Sequence, residues 1–163
     1  SLPLDDDALA FMRKSYGSAD ILRECRRLER AGISYGFFYL AGICGAGKCE
    51  AGALLSARVF NQLHPFLVGA NMLTVYPDSA LHQEIRSGNW QEAGELEKYA
   101  ELRTLVANLA IPTNFAALGA SNAIPLVGTL PADREKLLST LDEILAQASE
   151  ESLARYRRGV RHL

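Results

Sequence analysis

Residues 33–48 read ISYGFFYLAGICGAGK: an aromatic and aliphatic run (Tyr35, Phe37, Phe38, Tyr39, Leu40) that enters a loop with glycines at 42, 45 and 47. A helical pattern begins directly after it at Cys49. The run predicts a buried strand, so the stretch is a strand, a glycine loop and a helix. In α/β proteins ligands bind at the carboxyl end of such a strand, where loop backbone and the next helix's first amides converge.

Working outward, the alternation repeats. Towards the N-terminus, Asp5 to Lys14 has acids first and bases last, as a helix dipole favours. A second helix carries Ile21, Leu22, Cys25, Leu28 and Ala31 on one face and stops at Gly32. Towards the C-terminus, Ala51, Leu54, Leu55, Val59, Phe60 and Leu63 form another amphipathic helix, ended by His64-Pro65. Phe66 to Val75 is apolar on both sides, the pattern of a strand covered by helices on both faces. A turn at Tyr76 to Ser79, a short helix from Ala80 to Ser87 and a longer one from about Ala93 to Leu109 follow, the last with Leu96, Tyr99, Ala100, Val106 and Leu109 inward. Thr113 to Leu118 is a third strand, and Gly119 to Thr129 reads as an irregular loop. Pro131 suits the first turn of a helix with Leu137, Leu138, Leu141, Ile144 and Leu145 on its core face; a final helix starts near Ser149. The order predicts an α/β fold with a parallel sheet of three strands in a single domain, 1–163. Three strands are few for this length. A whole (β/α) barrel needs eight strands and roughly 200 residues or more, so the choice lies between a small open sheet and part of a barrel.

The charge balance, 17 basic against 19 acidic residues, offers no footprint for nucleic acid. No apolar run reaches the roughly 18 residues that span a bilayer, and the acidic start (Asp5, Asp6, Asp7) is unlike a signal peptide, which predicts a cytoplasmic protein. Three cysteines, Cys25, Cys44 and Cys49, have neither the number for a disulfide framework nor the spacing of a cluster or zinc motif. His64, His82 and His162 show no metal-ligand spacing. Arg155, Arg157, Arg158 and Arg161 read as the solvated, dipole-matched end of the last helix.

Gly42 to Cys49 nearly spells a phosphate-binding loop, G-x-x-x-x-G-K, but ends in Cys where Ser or Thr is required. That hydroxyl ligates Mg²⁺, a hard cation poorly served by a thiol, and no acidic residue ends the apolar run at Val75. A P-loop-like nucleotide-binding protein is therefore an alternative reading. Another is a non-enzymatic module that dimerises through an exposed strand edge.

Several pieces, in order, resemble a known family. They are Asp6-Asp7-Ala8-Leu9 with Met12-Arg13-Lys14, Ala31-Gly32-Ile33, Tyr39-Leu40-Ala41-Gly42, Ala57-Arg58-Val59, and Leu73-Thr74-Val75-Tyr76-Pro77-Asp78-Ser79-Ala80-Leu81 with Gly88. Ser121-Asn122, Leu126-Val127-Gly128-Thr129-Leu130-Pro131 and Asp133-Arg134-Glu135-Lys136-Leu137-Leu138 complete the set. Together they resemble the C-terminal part of radical S-adenosylmethionine (radical SAM) proteins, in the elongator-like and coproporphyrinogen-oxidase-like branch of iron-sulfur oxidoreductases. The resemblance implies the C-terminal portion of a partial (β/α) TIM-like barrel, few parallel strands flanked by helices. The full enzyme would hold a [4Fe-4S] cluster with C-x-x-x-C-x-x-C and cleave S-adenosylmethionine reductively to a 5′-deoxyadenosyl radical. This sequence has no such motif, so the chain alone is expected to bind no cluster and to be inactive. By the resemblance, the backbone around Leu40, Ala41 and Gly42 and around Asn71, Met72 and Leu73 lines the cofactor side. Ser121 and Asn122 face the mouth where an unidentified substrate enters, and Ser34 to Leu40 becomes an edge strand through which the chain self-associates.

Overall fold

The computed structural model describes residues 5–160. Arg161, read above as part of an arginine-rich helix end, and His162, one of the three histidines without metal-ligand spacing, lie outside them, as do residues 1–4. Helices α1 (Asp6–Phe11) and α2 (Ser18–Arg30) precede strand β1 (Gly36–Ala41). Then come α3 (Cys49–Phe60), β2 (Leu67–Met72), α4 (Ala80–Arg86) and α5 (Glu95–Asn108). The chain closes with β3 (Thr113–Ala117), β4 (Leu126–Leu130), α6 (Arg134–Gln147) and α7 (Glu150–Val160).

The strands form one open sheet in the order β1-β2-β3-β4. β1 and β2 run parallel, with Leu40 opposite Asn71 and Ala41 opposite Met72, and β2 runs parallel to β3. β4, which the sequence reading placed in an irregular loop, adds antiparallel to β3. Pro125 before it, Gly128 inside it and Pro131 after it break up the hydrophobic run, so its pairing comes from β3 rather than from a local pattern. Pro131 follows a cis peptide bond in the turn, and α6 begins only at Arg134, three residues later than the first-turn reading of that proline.

Tyr39, Ala41, Val68, Ala70, Met72, Phe115 and Ala117 point to one face and are buried with Phe60, Leu102, Leu105, Leu109 and Leu141 of α3, α5, α6 and the segment after α5. Register places Phe38, Gly69, Ala116 and Val127 in a row across the opposite face. That row is not roofed by helices: Phe38 is 56% and Val127 61% exposed. The both-sided apolarity of Phe66 to Val75 thus does not signal helices on both faces. A Cβ on Gly69 would meet the Phe38 ring at 2.8 Å, so Phe38 lies over this glycine and supplies its cover.

Candidate functional site

Gly42, Gly45 and Gly47 all take positive φ (93°, 85° and 77°), a region that side chains with a Cβ disfavour, so the glycine spacing is a backbone requirement of the loop after β1. Two carboxylates of α5 hold that loop. Glu101, fully buried, accepts from the Gly42 N–H at 2.6 Å and from the Tyr39 hydroxyl at 2.6 Å; Glu97 accepts from the Gly47 N–H at 2.7 Å. Burial is the largest influence on Glu101 and pushes its carboxyl up to about 7, against the lowering effect of those two donors. Of the amides that a phosphate-binding loop would offer to an anion, those of Gly42 and Gly47 therefore already face acids, and those of Gly45, Ala46 and Lys48 face backbone carbonyls. Cys49, in place of the Mg²⁺-ligating hydroxyl, turns inward, its thiol donating to the Gly45 carbonyl at 3.5 Å. Burial raises the pKa of both loop thiols, that of Cys44 to about 12, so neither is a ready thiolate.

A second buried cluster sits where β2 ends. Lys98, with no exposed surface, donates to the Leu73 carbonyl at 3.3 Å and to Glu95 and Glu92 at 3.0 and 3.2 Å. Arg157 of α7 reaches in from the other side, pairing with both oxygens of Glu95 at 3.1 and 3.0 Å and donating to Thr74 Oγ1 at 3.1 Å. Burial works to raise the Glu95 pKa, but Arg157 and Lys98 outweigh it and the carboxyl stays below the usual range. Arg157 is 3% exposed, so it does not belong to a solvated helix end as the sequence reading had it; Arg155 and Arg158 do. The basis of the difference is that Glu95 lies 62 positions away and only the fold brings it near.

The sequence-derived residues converge on this end of the sheet. Leu40 and Asn71 sit side by side at the carboxyl ends of β1 and β2 on the open face; Ala41 and Met72, next along, turn into the core and offer only backbone. The Leu73 N–H donates to the Ala41 carbonyl at 2.9 Å, carrying the pairing one residue past the strands. Asn122 is brought to the same place: its Nδ2 donates to the Ala70 carbonyl at 3.1 Å and the Gly119 carbonyl at 3.2 Å. Its Oδ1 is, among the described residues, the buried side-chain polar atom without a hydrogen-bond partner. Gly119 leaves no room for a Cβ, which would collide with Asn71 Oδ1. Ser121 is half-buried beside Asn122. Glu95, Lys98, Glu101 and Arg157 were not singled out from sequence as site residues. A charged residue at an inward position of an otherwise apolar helix face was the available signal for Lys98 and Glu101, flanked as they are by Tyr99 and Leu102.

Among the described residues no group of three or more His, Cys, Asp or Glu is placed to hold a metal ion, and no helix is long and apolar enough to cross a membrane. Comparison with protein-family models, curated proteins and solved structures finds no match to the chain.

Proposed function

We propose that the chain is the C-terminal part of a radical SAM enzyme, contributing the last parallel strands of a partial (β/α) barrel, and that it works in the cytoplasm. The observation that carries this reading is the one-sided sheet. Its outer face is packed with helices while the row Phe38, Gly69, Ala116 and Val127 is left without a roof, as on a barrel wall whose interior is closed by strands from elsewhere. β1 is one edge of the sheet and antiparallel β4 the other, so further parallel strands would join at β1. In the chain alone that edge would pair with a second copy, which sedimentation would read as a dimer and a strict monomer would refute.

The residues fit one part of the expected chemistry and not another. Leu40 gives an apolar contact and Asn71 an amide at the strand ends, side chains suited to one edge of a nucleoside, while the Gly42 and Leu73 N–H groups and the Ala41 and Leu73 carbonyls are already paired within the chain. The [4Fe-4S] cluster does not fit: its ligands are thiolates, whereas Cys44 and Cys49 are held as thiols by burial and Cys25 is buried on α2. Cluster ligands would come from outside residues 1–163. When bound, S-adenosylmethionine would supply the adenosyl group, with the electron for its cleavage coming from that cluster; these residues would orient its adenosyl end and exclude water.

The P-loop reading is weaker because Glu97 and Glu101 occupy amides that a phosphate would need. S-adenosylhomocysteine, a redox-inert analogue, tests the choice. Titrated into the isotopically labelled chain, it should shift backbone amide signals of residues 40–42 and 71–73 and leave those of α3 in place. Shifts confined to Lys48 and the first turn of α3, given also by ATP, would support the P-loop reading instead.

A further inference from the structure

Between α1, α4 and the ends of β1 and β2 lies a cavity of about 550 Å³, a size suited to a small molecule. Its walls include Phe11, Leu40, Ile43, Leu73, Val75 and Leu81, and its polar lining is Arg13, Thr74, Ser79 and Glu84. Part of that polar capacity is in use. The Ser79 hydroxyl donates to the Tyr76 carbonyl and accepts from the His82 N–H, and Glu84 accepts from Asn89 Nδ2. Thr74 Oγ1 accepts from Arg157, which leaves its own hydrogen to donate. Arg13 has no ion pair among the described residues.

Arg13 also breaks a local rule. It closes α1 with φ of 54°, its N–H bonded to the Ala10 carbonyl and the next N–H, of Lys14, to the Leu9 carbonyl. That is the Schellman ending, in which this position is ordinarily glycine; among the described residues Arg13 is the one non-glycine with positive φ. A residue that carries a side chain where the backbone favours glycine, on the rim of a ligand-sized cavity, points to a role for that side chain.

We propose that this cavity binds a small amphipathic carboxylate, its apolar body against Phe11, Ile43, Val75 and Leu81 and its carboxylate at the Arg13 guanidinium and the Thr74 hydroxyl. The lining shares Leu40 and Leu73 with the proposed cofactor side, yet the inference stands on the cavity's own chemistry. Failure of S-adenosylhomocysteine to bind would leave it intact.

Octanoate, octan-1-ol and octylammonium, titrated into the chain at pH 7, share one apolar body and differ in the head group. Trp90, the chain's one tryptophan, stacks on Phe11 with ring centroids 6.3 Å apart, so its fluorescence reports entry. Octanoate should bind about five-fold more tightly than the alcohol, the discrimination expected of a partly solvated ion pair, and octylammonium more weakly than either. Arg13→Gly should bring octanoate down to the alcohol's affinity without lowering the melting temperature, since glycine suits this φ; Arg13→Asn should do the same. Leu81→Phe, which fills the cavity, should weaken all three. Equal affinities for octanoate and octan-1-ol, preference for octylammonium, or octanoate binding unchanged in Arg13→Gly would overturn the proposal.

Discussion

At Gly42 two requirements coincide: φ is 93°, and an added Cβ would lie 2.9 Å from Lys98 Cε, whose buried stem cannot easily move. Gly47 has the same sign of φ with nothing within 4 Å of its missing Cβ. Gly47→Ala should therefore cost about 1 kcal/mol of backbone strain, and Gly42→Ala about 2–3 kcal/mol, because contact adds to strain. Urea denaturation of the two variants separates the terms; equal losses would mean that Lys98 yields. A bulkier Gly42 substitution would disrupt the loop itself and so could not probe cofactor binding on its own. Glu101 gives the chain a pH dependence. Its folded pKa of about 7 lies above the ordinary 4.5, so between these values the folded chain holds a proton that the unfolded chain has released. Stability from this group is full below about pH 4.5 and falls as pH rises to about 7, by an amount on the order of 3 kcal/mol at most. Glu101→Gln should flatten the stability profile across that window. A profile with the same slope in both proteins would place the titration elsewhere.

Among the elements, α7 is held to the sheet end by polar contacts as much as by apolar ones. Glu150 accepts from the Glu95 and Leu96 N–H groups at the start of α5, the Tyr156 hydroxyl donates to the Ala120 carbonyl, and Arg157 pairs with Glu95 in the interior; Leu153 and Val160 add buried apolar surface. Arg157→Ala strands the buried Glu95 carboxylate beside Lys98 alone, and a loss of about 3–5 kcal/mol is expected, with early hydrogen exchange throughout α7. A loss below about 1 kcal/mol would show that Glu95 relaxes into water. The elements themselves were legible in sequence to within a few residues wherever hydrophobic period and a stop signal agreed, as in α2 with Gly32 and α4 with Gly88. β4 was not, since a five-residue antiparallel strand with Gly128 at its centre owes its existence to Phe115 and its neighbours in β3. The open face was hidden for a related reason. Apolar residues on both sides of β1 and β2 look the same whether helices or other strands are to cover them.

At the scale of the whole molecule, the residues proposed for the cofactor side lie together at one sheet end because parallel strands in register bring residues 40–42 and 71–73 level. Asn122 reaches them through a side-chain bond to the β2 backbone, which no spacing in the sequence discloses. Below them runs the unroofed row from Phe38 to Val127, the feature on which the barrel-wall account depends. The most direct test is formation of 5′-deoxyadenosine by the protein expressed from its own full reading frame, purified without oxygen and given S-adenosylmethionine and dithionite. The account predicts that 5′-deoxyadenosine accumulates, and that Leu40→Arg, which places a charge in the small apolar cluster of Ile43, Leu73 and Val75 at the strand end and outside the main core, removes it while the main core persists. A folded protein that makes none, or a Leu40→Arg variant that makes it at the normal rate, would contradict the account.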